Sequence, residues 1–116
     1  MLVPLARANM ATTLVHWNAN ELLCKHGEFR QHVANNAYDI MCLQETFLKP
    51  AKRFSVPGYD VIRTDRDSTK GGLLMLRKVG SKYMQLPSPQ NVECQIVEVP
   101  TANGKLTIVN VYVPPT

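Results

Sequence analysis

Polar side chains stand at the ends of three strand-like segments, in positions where they could act on a phosphate. Asn18 follows one such segment, Glu45 follows a second, and Tyr112 lies in the last one, two residues after Asn110. Ligand sites in layered sheet proteins collect just beyond strand ends, because the scaffold is rigid there and the backbone emerges. A carboxylate at the end of a buried strand is costly unless it is paired or bound to a metal, which makes Glu45 the strongest candidate.

These residue types are those of metal-assisted phosphate chemistry. The Glu45 carboxylate and the Asn18 amide oxygen are hard donors that suit Mg²⁺ better than zinc, and the Tyr112 hydroxyl can hydrogen-bond a phosphate oxygen. Three structural roles would explain the same residues without any ligand. They are a surface ion pair between Glu45 and Lys49, a lead-in to the following helix for Asn18, and an edge-strand position for Tyr112.

Six strands are expected to position these side chains. The segments concerned are rich in β-branched, aromatic or apolar residues and are bounded by turn residues, a pattern typical of strands. They span residues 12–17, 39–43, 59–64, 73–78, 92–99 and 106–113. The dipeptide Asn103-Gly104 predicts a hairpin between the last two of them.

One helix is predicted from Asn20 to Asn36, with Asn20 as its N-cap. Four residues recur at helical spacing on one of its faces, namely Leu22, His26, Phe29 and Val33. Its two histidines, His26 and His32, do not share a helical face, so we expect them on a solvated surface rather than in a metal site.

The size and composition favour one packed domain. The chain has 116 residues, of which 45% are hydrophobic and 19% charged, so general disorder is excluded. Its net charge of +4 is concentrated between residues 49 and 70, which carry six Lys or Arg against three Asp. A solvated loop and a phosphate-facing surface both fit this excess. The cations expected to bind nucleic acid are Lys49, Lys52, Arg53, Arg66 and Lys70.

The cysteines and the N-terminal residues favour an intracellular location. Cys24, Cys42 and Cys94 form neither a metal-binding pattern nor a disulfide framework, and Cys42 is expected to be a small buried hydrophobe. No apolar run has transmembrane length, so no membrane partner is expected, and the first residues lack the basic region of a signal peptide. Residues 1–11 are expected to form a loose arm.

Three segments in register resemble motifs of the endonuclease/exonuclease/phosphatase superfamily. They are Leu14-Val-His-Trp-Asn18-Ala-Asn20, Cys42-Leu-Gln-Glu45-Thr46 and Asn110-Val-Tyr112-Val-Pro114-Pro115. Their order and spacing are similar to those of its apurinic-endonuclease-like branch, above all to the endonuclease domain of non-LTR (LINE-type) retrotransposons. Two further segments look like a strand and a turn of that group, namely Gly58-Tyr59-Asp60-Val-Ile-Arg63 and Lys70-Gly71-Gly72-Leu73.

The resemblance implies an α/β (α+β) fold, here part of a four-layer αββα sandwich of the DNase I-like type. It also implies a Mg²⁺-dependent phosphodiesterase that acts on DNA, with the nucleus as a candidate compartment. Carried over by motif, Glu45 would be the metal ligand, Asn18 would line the metal and phosphate site, and Tyr112 would contact the scissile phosphate. The metal would offset charge that develops on the phosphate and its leaving oxygen.

The sequence departs from the pattern of that group in three places. Position 21 is Glu where the pattern usually has Gly, and Leu74 to Arg77 replace the small and β-branched residues expected after Gly-Gly. The group's downstream Gly-Asp-x-Asn and Ser-Asp-His motifs, with the nucleophile-orienting Asp and the catalytic His, occur nowhere in the chain. Residues 12–116 are therefore expected to be the N-terminal half of an endonuclease domain without its acid–base machinery.

Three hypotheses about function follow. The first is a truncated endonuclease domain that is catalytically incomplete and inactive unless it is complemented. The second is a binding module whose basic stretch between residues 49 and 70 holds nucleic acid without cutting it. The third is a transposon relic without function, which would expose its sheet edges.

Overall fold

Two packed β-sheets make up the protein in a computed structural model that describes residues 12–66, 71–80, 82–102 and 104–113. The first sheet has the strand order β1-β2-β4-β3 and the second the order β5-β6-β7. The strands are β1 (Leu14–Asn18), β2 (Ile40–Gln44), β3 (Tyr59–Thr64), β4 (Leu73–Lys78), β5 (Met84–Leu86), β6 (Glu93–Thr101) and β7 (Gly104–Tyr112). A short 3-10 helix at Leu23–Lys25 leads directly into the helix α1 (His26–Asn36).

The register of the first sheet brings the ends of its four strands together. Strand β1 is parallel to β2, with Asn18 beside Gln44, so both strands end at the same edge. Strand β4 runs antiparallel to β2 and to β3, and its first residue, Leu73, lies between Gln44 and Thr64. We call this edge, where Asn18, Gln44, Thr64 and Leu73 lie side by side, the site end of the sheet.

Apolar side chains pack against both faces of the first sheet. On its outer face, Phe29 and Val33 of α1 are buried in one cluster with residues of β2 and β4. On its inner face, residues of both sheets form a second cluster of Ile40, Cys42, Ile62, Met75, Val97, Val99 and Ile108. The continuous apolar run of β2 is thus buried on both sides, as such runs usually are. The predicted α/β class with two stacked sheets is confirmed.

The strands agree closely with the prediction, except for β5. Strands β3 and β4 have the predicted bounds, and β1, β2, β6 and β7 differ from theirs by one or two residues. The three residues of β5 were not predicted as a strand, because so short a segment shows no alternation. The hairpin between β6 and β7 is confirmed by their antiparallel pairing. Asn103 of its predicted turn lies outside the described residues.

The helix begins later than predicted, and the expected N-cap is wrong. Lys25, not Asn20, precedes α1, and it makes no side-chain cap bond. Asn20 has a φ of 44°, a left-handed conformation, because the backbone around it is bound to the loop after β2. On the predicted helix face Leu22, Phe29 and Val33 are buried, whereas His26 is exposed.

The cysteines are unpaired, and two of the three are buried. Cys42 and Cys94 lie inside, whereas Cys24 is exposed. Burial raises the pKa of the Cys42 thiol to about 11, which confirms that this residue acts as a small hydrophobe. The predicted arm at residues 1–11 lies outside the described part of the chain. No helix among the described residues is both long and apolar enough to cross a membrane.

Three amide side chains tie the two sheets together near the site end, and we call Gln44, Gln95 and Asn110 the amide clip. Asn110 of β7 donates from Nδ2 to the carbonyl oxygens of Leu43 and Leu74 in the first sheet, at 3.1 and 3.2 Å. The same Nδ2 lies 3.0 Å from Oε1 of Gln95, whose Nε2 donates to a carbonyl of β3 at 2.8 Å. Gln44 donates from Nε2 to Oδ1 of Asn110 at 2.8 Å.

The amide clip fixes how the second sheet sits on the first. Gln95 and Asn110 are almost fully buried, and every buried polar side-chain atom among the described residues has a partner. A buried polar group without a partner costs about 1–3 kcal/mol, so sliding one sheet over the other would break several bonds at once. Because Tyr112 follows Asn110 by two residues on the same face of β7, the clip also aligns Tyr112 with the site end.

We expect Asn110→Ala to lower the free energy of unfolding by about 2–4 kcal/mol. The change removes the bridging amide and leaves Gln44 and Gln95 without one partner each, and both losses add to the cost. Urea denaturation followed by circular dichroism measures the effect. Asn91→Ala, at an exposed loop position, is the control and should change stability by less than about 0.5 kcal/mol. A loss below about 1 kcal/mol for Asn110→Ala would contradict the role of the clip.

Candidate active site

Asn18, Glu45 and Tyr112 meet at the site end. Asn18 donates from Nδ2 to Oε2 of Glu45 at 2.5 Å, and the Tyr112 hydroxyl hydrogen-bonds the same carboxylate. Oδ1 of Asn18 accepts the Asn20 amide at 3.2 Å, a local turn bond that lies well before the start of α1 at His26. Among the described ion pairs none joins Glu45 to Lys49.

The surroundings of Tyr112 keep its hydroxyl protonated. Partial desolvation, followed by the charge and the hydrogen bond of Glu45, raises the pKa of Tyr112 above its usual value, and Glu93 adds to the effect. Arg66 acts in the opposite direction and lowers the pKa of Tyr112. The net direction is upward, so near neutral pH the phenol is a hydrogen-bond donor.

The loop that carries Glu45 is held in a strained shape by two glycines. Glu45 and Phe47 have φ angles of 53° and 57°, in the left-handed region that costs a non-glycine residue about 1 kcal/mol. The Phe47 amide donates to the Gly71 carbonyl at 2.8 Å, and the Thr46 amide donates to that of Gly72 at 3.3 Å. A Cβ on Gly72 would lie 2.6 Å from Oγ1 of Thr46, so only glycine fits there.

The segment after β1 braces the same loop from the other side. The Ala19, Glu21 and Leu22 amides donate to the carbonyls of residues 44, 45 and 46, at 2.8, 2.9 and 3.0 Å. This pairing continues the contact between β1 and β2 beyond their ends. It requires left-handed backbone at Glu21, with a φ of 77°. Glu21 therefore occupies, under strain, the position where the related pattern has Gly.

The largely buried carboxylate of Glu93 holds one cation, Arg66, near Tyr112. Glu93 accepts the Gly72 amide on Oε2 at 2.7 Å, and its Oε1 forms an ion pair with Nη2 of Arg66. Glu93 stands directly opposite Tyr112 in the pairing of β6 with β7. Sequence reasoning did not single out Glu93, since no motif contains it. The pairing of β6 with β7 identifies Glu93, because it places this residue opposite Tyr112.

The other cations predicted to bind nucleic acid lie on the loop that leaves the site end. Arg63 at the end of β3 donates to the carbonyl oxygens of Lys49 and Lys52, at 3.0 and 2.5 Å, and so holds this loop against the sheet. The residues Lys49, Lys52 and Arg53 are all exposed. Lys70 lies outside the described residues, so its predicted role is untested.

The donor set at the site end fits a hard divalent cation. Mg²⁺ is usually held by one or two carboxylates, several waters and the substrate phosphates, so the single Glu45 carboxylate is sufficient. The half-buried Glu45 has Asn18 and Tyr112 as neighbours, both of which offer oxygen atoms. A site made by protein side chains alone is not present in the described part of the chain, where no three His, Cys, Asp or Glu residues cluster suitably.

Solved structures with the same arrangement of sheets define the class of fold. The AP endonuclease LMAP from Leishmania major matches 93% of this chain with a TM-score of 0.72 and 18% identity. The endonuclease domain of TRAS1, a telomere-specific non-LTR retrotransposon, matches 86% of it with a TM-score of 0.65 and 18% identity. The chain thus shares the DNase I-like fold of these nucleases.

Within that class, the resemblance to non-LTR retrotransposon endonucleases is confirmed. The RNA-directed DNA polymerase from mobile element jockey of Drosophila melanogaster is 28% identical over 103 residues, or 85% of this chain. No family model matches the chain. The chain spans 11% of the jockey protein, 43% of the LMAP chain and 45% of the TRAS1 chain.

We expect Glu21→Gly to raise the free energy of unfolding by about 0.5–1 kcal/mol. Glycine adopts the left-handed conformation at position 21 without the steric cost that a side chain carries, although it also makes the unfolded chain more flexible. Urea denaturation measures the gain. Glu21→Ala is the matched control, since it removes the carboxylate but keeps the strain. Equal stabilisation by both variants would mean that charge, not backbone strain, is the cause.

Proposed function

We propose that residues 12–116 are the N-terminal half of a Mg²⁺-dependent DNA endonuclease domain of retrotransposon origin. The observation that carries the proposal is the convergence of Asn18, Glu45 and Tyr112, which come from three distant segments, on one carboxylate-centred site. LMAP is an AP endonuclease and TRAS1 supplies an endonuclease domain, and both have this fold. The reaction class supported by this is hydrolysis of a phosphodiester in DNA.

Each of the three side chains has a distinct role in this proposal. The Glu45 carboxylate would hold Mg²⁺, and the bound ion would supply positive charge against the phosphate and its leaving oxygen. Asn18 orients that carboxylate through its Nδ2 group. Tyr112 is protonated at neutral pH, and its hydroxyl would exchange its hydrogen bond to Glu45 for one to a non-bridging oxygen of the scissile phosphate.

Cleavage also needs a group that moves protons at the attacking water and the leaving oxygen. Among the described hydrogen bonds, none joins a histidine to Glu45 or Tyr112. His26 and His32 belong to α1 and bond a backbone carbonyl and Tyr38, respectively. The Gly-Asp-x-Asn and Ser-Asp-His motifs are absent from the 116 residues. We therefore propose that these residues bind the phosphate group but do not cut without a second polypeptide segment that supplies those motifs.

The 116-residue chain is expected not to nick supercoiled plasmid DNA in Mg²⁺ above the rate of buffer alone. Gel electrophoresis of the plasmid after incubation measures this, with a complete endonuclease domain as the positive control. Glu45→Gln should behave as the unchanged chain does. Robust nicking that disappears in Glu45→Gln would show that the chain is catalytically sufficient, contrary to the proposal.

A second candidate function is DNA binding without cleavage, and the basic loop favours it. The loop bearing Lys49, Lys52 and Arg53 is anchored at the site end by Arg63, so these exposed cations flank the proposed phosphate site. Together with Arg66 they would form one positive border around Glu45. Such a border attracts the DNA backbone without reading its sequence.

We expect Lys49→Ala/Lys52→Ala to weaken binding of a short DNA duplex and to reduce its salt dependence. Each phosphate contact contributes about 0.9 to the slope of log affinity against log salt, so the slope should fall by nearly 2. Fluorescence anisotropy with a labelled duplex measures both quantities. The charge-matched control is Lys82→Ala/Lys105→Ala, because both residues are exposed and lie toward the opposite end of the sheets. Equal effects of the two variants would contradict a localised binding surface.

A further inference from the structure

Two ion-paired arginines in the same basic stretch differ in how many of their guanidinium nitrogens are already hydrogen-bonded. Arg63 uses its whole guanidinium, because Nε and Nη2 bond Asp65 while Nη1 and Nη2 bond the carbonyls of Lys52 and Lys49. Arg66 uses only Nη2, which bonds Glu93, so Nε and Nη1 have no partner among the described residues. The Arg66 side chain is 36% exposed, against 20% for Arg63. Among the described residues, Nε and Nη1 of Arg66 are therefore the donors open to a ligand.

The position of Arg66 is set by parts of the fold that also build the site. Glu93, with only 12% of its side chain exposed, binds the Gly72 amide with one oxygen and Arg66 with the other. The Arg66 side chain passes directly over Gly71, where a Cβ would come within 2.5 Å of it. Gly71 and Gly72 in turn brace the loop of Glu45. One carboxylate thus links the cation, the glycine turn and the site.

The remaining donors of Arg66 suit a phosphate more than a carboxylate of the protein. Glu93 lies opposite Tyr112 across the β6–β7 pair, and the guanidinium that it holds is near enough for its charge to act on the Tyr112 hydroxyl. A phosphate oxygen accepts a charge-assisted hydrogen bond from a guanidinium N–H group, and Nε and Nη1 of Arg66 each offer one such donor. The charge of Arg66 also acts on Tyr112, whose pKa it lowers.

We propose that Arg66 binds the same phosphate as Tyr112, and that Glu93 is the positioning residue that holds the Arg66 guanidinium toward it. This inference rests on the proposed function, since it assumes a DNA phosphate beside Glu45. The proposed role of Arg66 differs from that of the cations on the loop. Lys49 and Lys52 attract the backbone at a distance, whereas Arg66 makes a directional contact at the reacting group.

The test uses the ¹⁵N-labelled 116-residue chain and a short DNA duplex at low salt. The Nε–H signals of Arg66 and Arg63 are recorded with and without the duplex, and Arg66→Lys identifies the Arg66 signal by its loss. We expect the Arg66 signal to shift on binding while that of Arg63, whose donors are occupied, stays in place. A purely structural ion pair with Glu93 would leave the Arg66 signal unmoved.

The affinity for the duplex is a second, independent measure of the roles of Arg66 and Glu93. Glu93→Gln should weaken binding by about tenfold, because it releases a charge-assisted bond that orients the guanidinium. Arg66→Ala should have a similar effect, and Arg66→Ala/Glu93→Gln should be no weaker than Arg66→Ala alone. Because Glu93 also binds the Gly72 amide, the amide NMR spectrum of Glu93→Gln is used to check that this variant is folded. If it is unfolded, the shift of the Arg66 signal in the unchanged chain decides the test.

The outcomes separate this inference from the proposed function. A chain that binds no duplex at low salt overturns both. A chain that binds the duplex with an unshifted Arg66 signal overturns the inference alone. Unchanged affinity in folded Glu93→Gln would likewise overturn the positioning role and leave the phosphate site of Glu45 and Tyr112 intact.

Discussion

The geometry of this protein depends on the burial of three amide side chains between its two sheets. Apolar contacts between sheets are non-directional, so they favour close packing without fixing one register. Gln44, Gln95 and Asn110 supply the missing direction, because their bonds to one another and to backbone carbonyls of three strands of the first sheet are satisfied in one alignment. That alignment brings the end of β7 over the end of β2, which is the reason that Tyr112 reaches Glu45.

Around this alignment, the strain of the site is confined to two loops and is balanced by backbone hydrogen bonds. Glu21, Glu45 and Phe47 adopt left-handed conformations that each cost energy. The amides of the segment after β1 and the carbonyls of Gly71 and Gly72 bind the loop of Glu45 from both sides. The carboxylate is thereby held by its backbone before any ligand arrives. A phosphate or metal would meet a site whose ordering cost is already met by folding.

The sequence predicted those parts that depend on local pattern and missed those that depend on contacts between distant segments. Strands β3 and β4 have their predicted bounds because glycine-containing turns precede both apolar runs. The helix start was wrong, since the amides of residues 19, 21 and 22 bind the loop after β2 and hold Asn20 out of a helix. Glu93 was missed for a similar reason. No sequence motif contains Glu93, and its importance follows from contacts that distant segments make with it, namely the pairing with Tyr112 and the bonds to Arg66 and Gly72.

The same contrast separates the two requirements of the proposed reaction, which are binding of the phosphate group and transfer of protons. In the proposed reaction, hydrogen-bond donors would bind the phosphate and a carboxylate would hold the metal, and here Asn18, Glu45 and Tyr112 are fixed by contacts within the described residues. Proton transfer is a separate requirement, and no hydrogen bond among the described residues joins a histidine to this site. Strands β1 and β7 each pair on one side only among the described residues, and Leu14, Val109 and Val111 beside these edges are exposed. Further strands could join both sheets there without disturbing the amide clip, because the clip lies between the sheets and leaves both edges open.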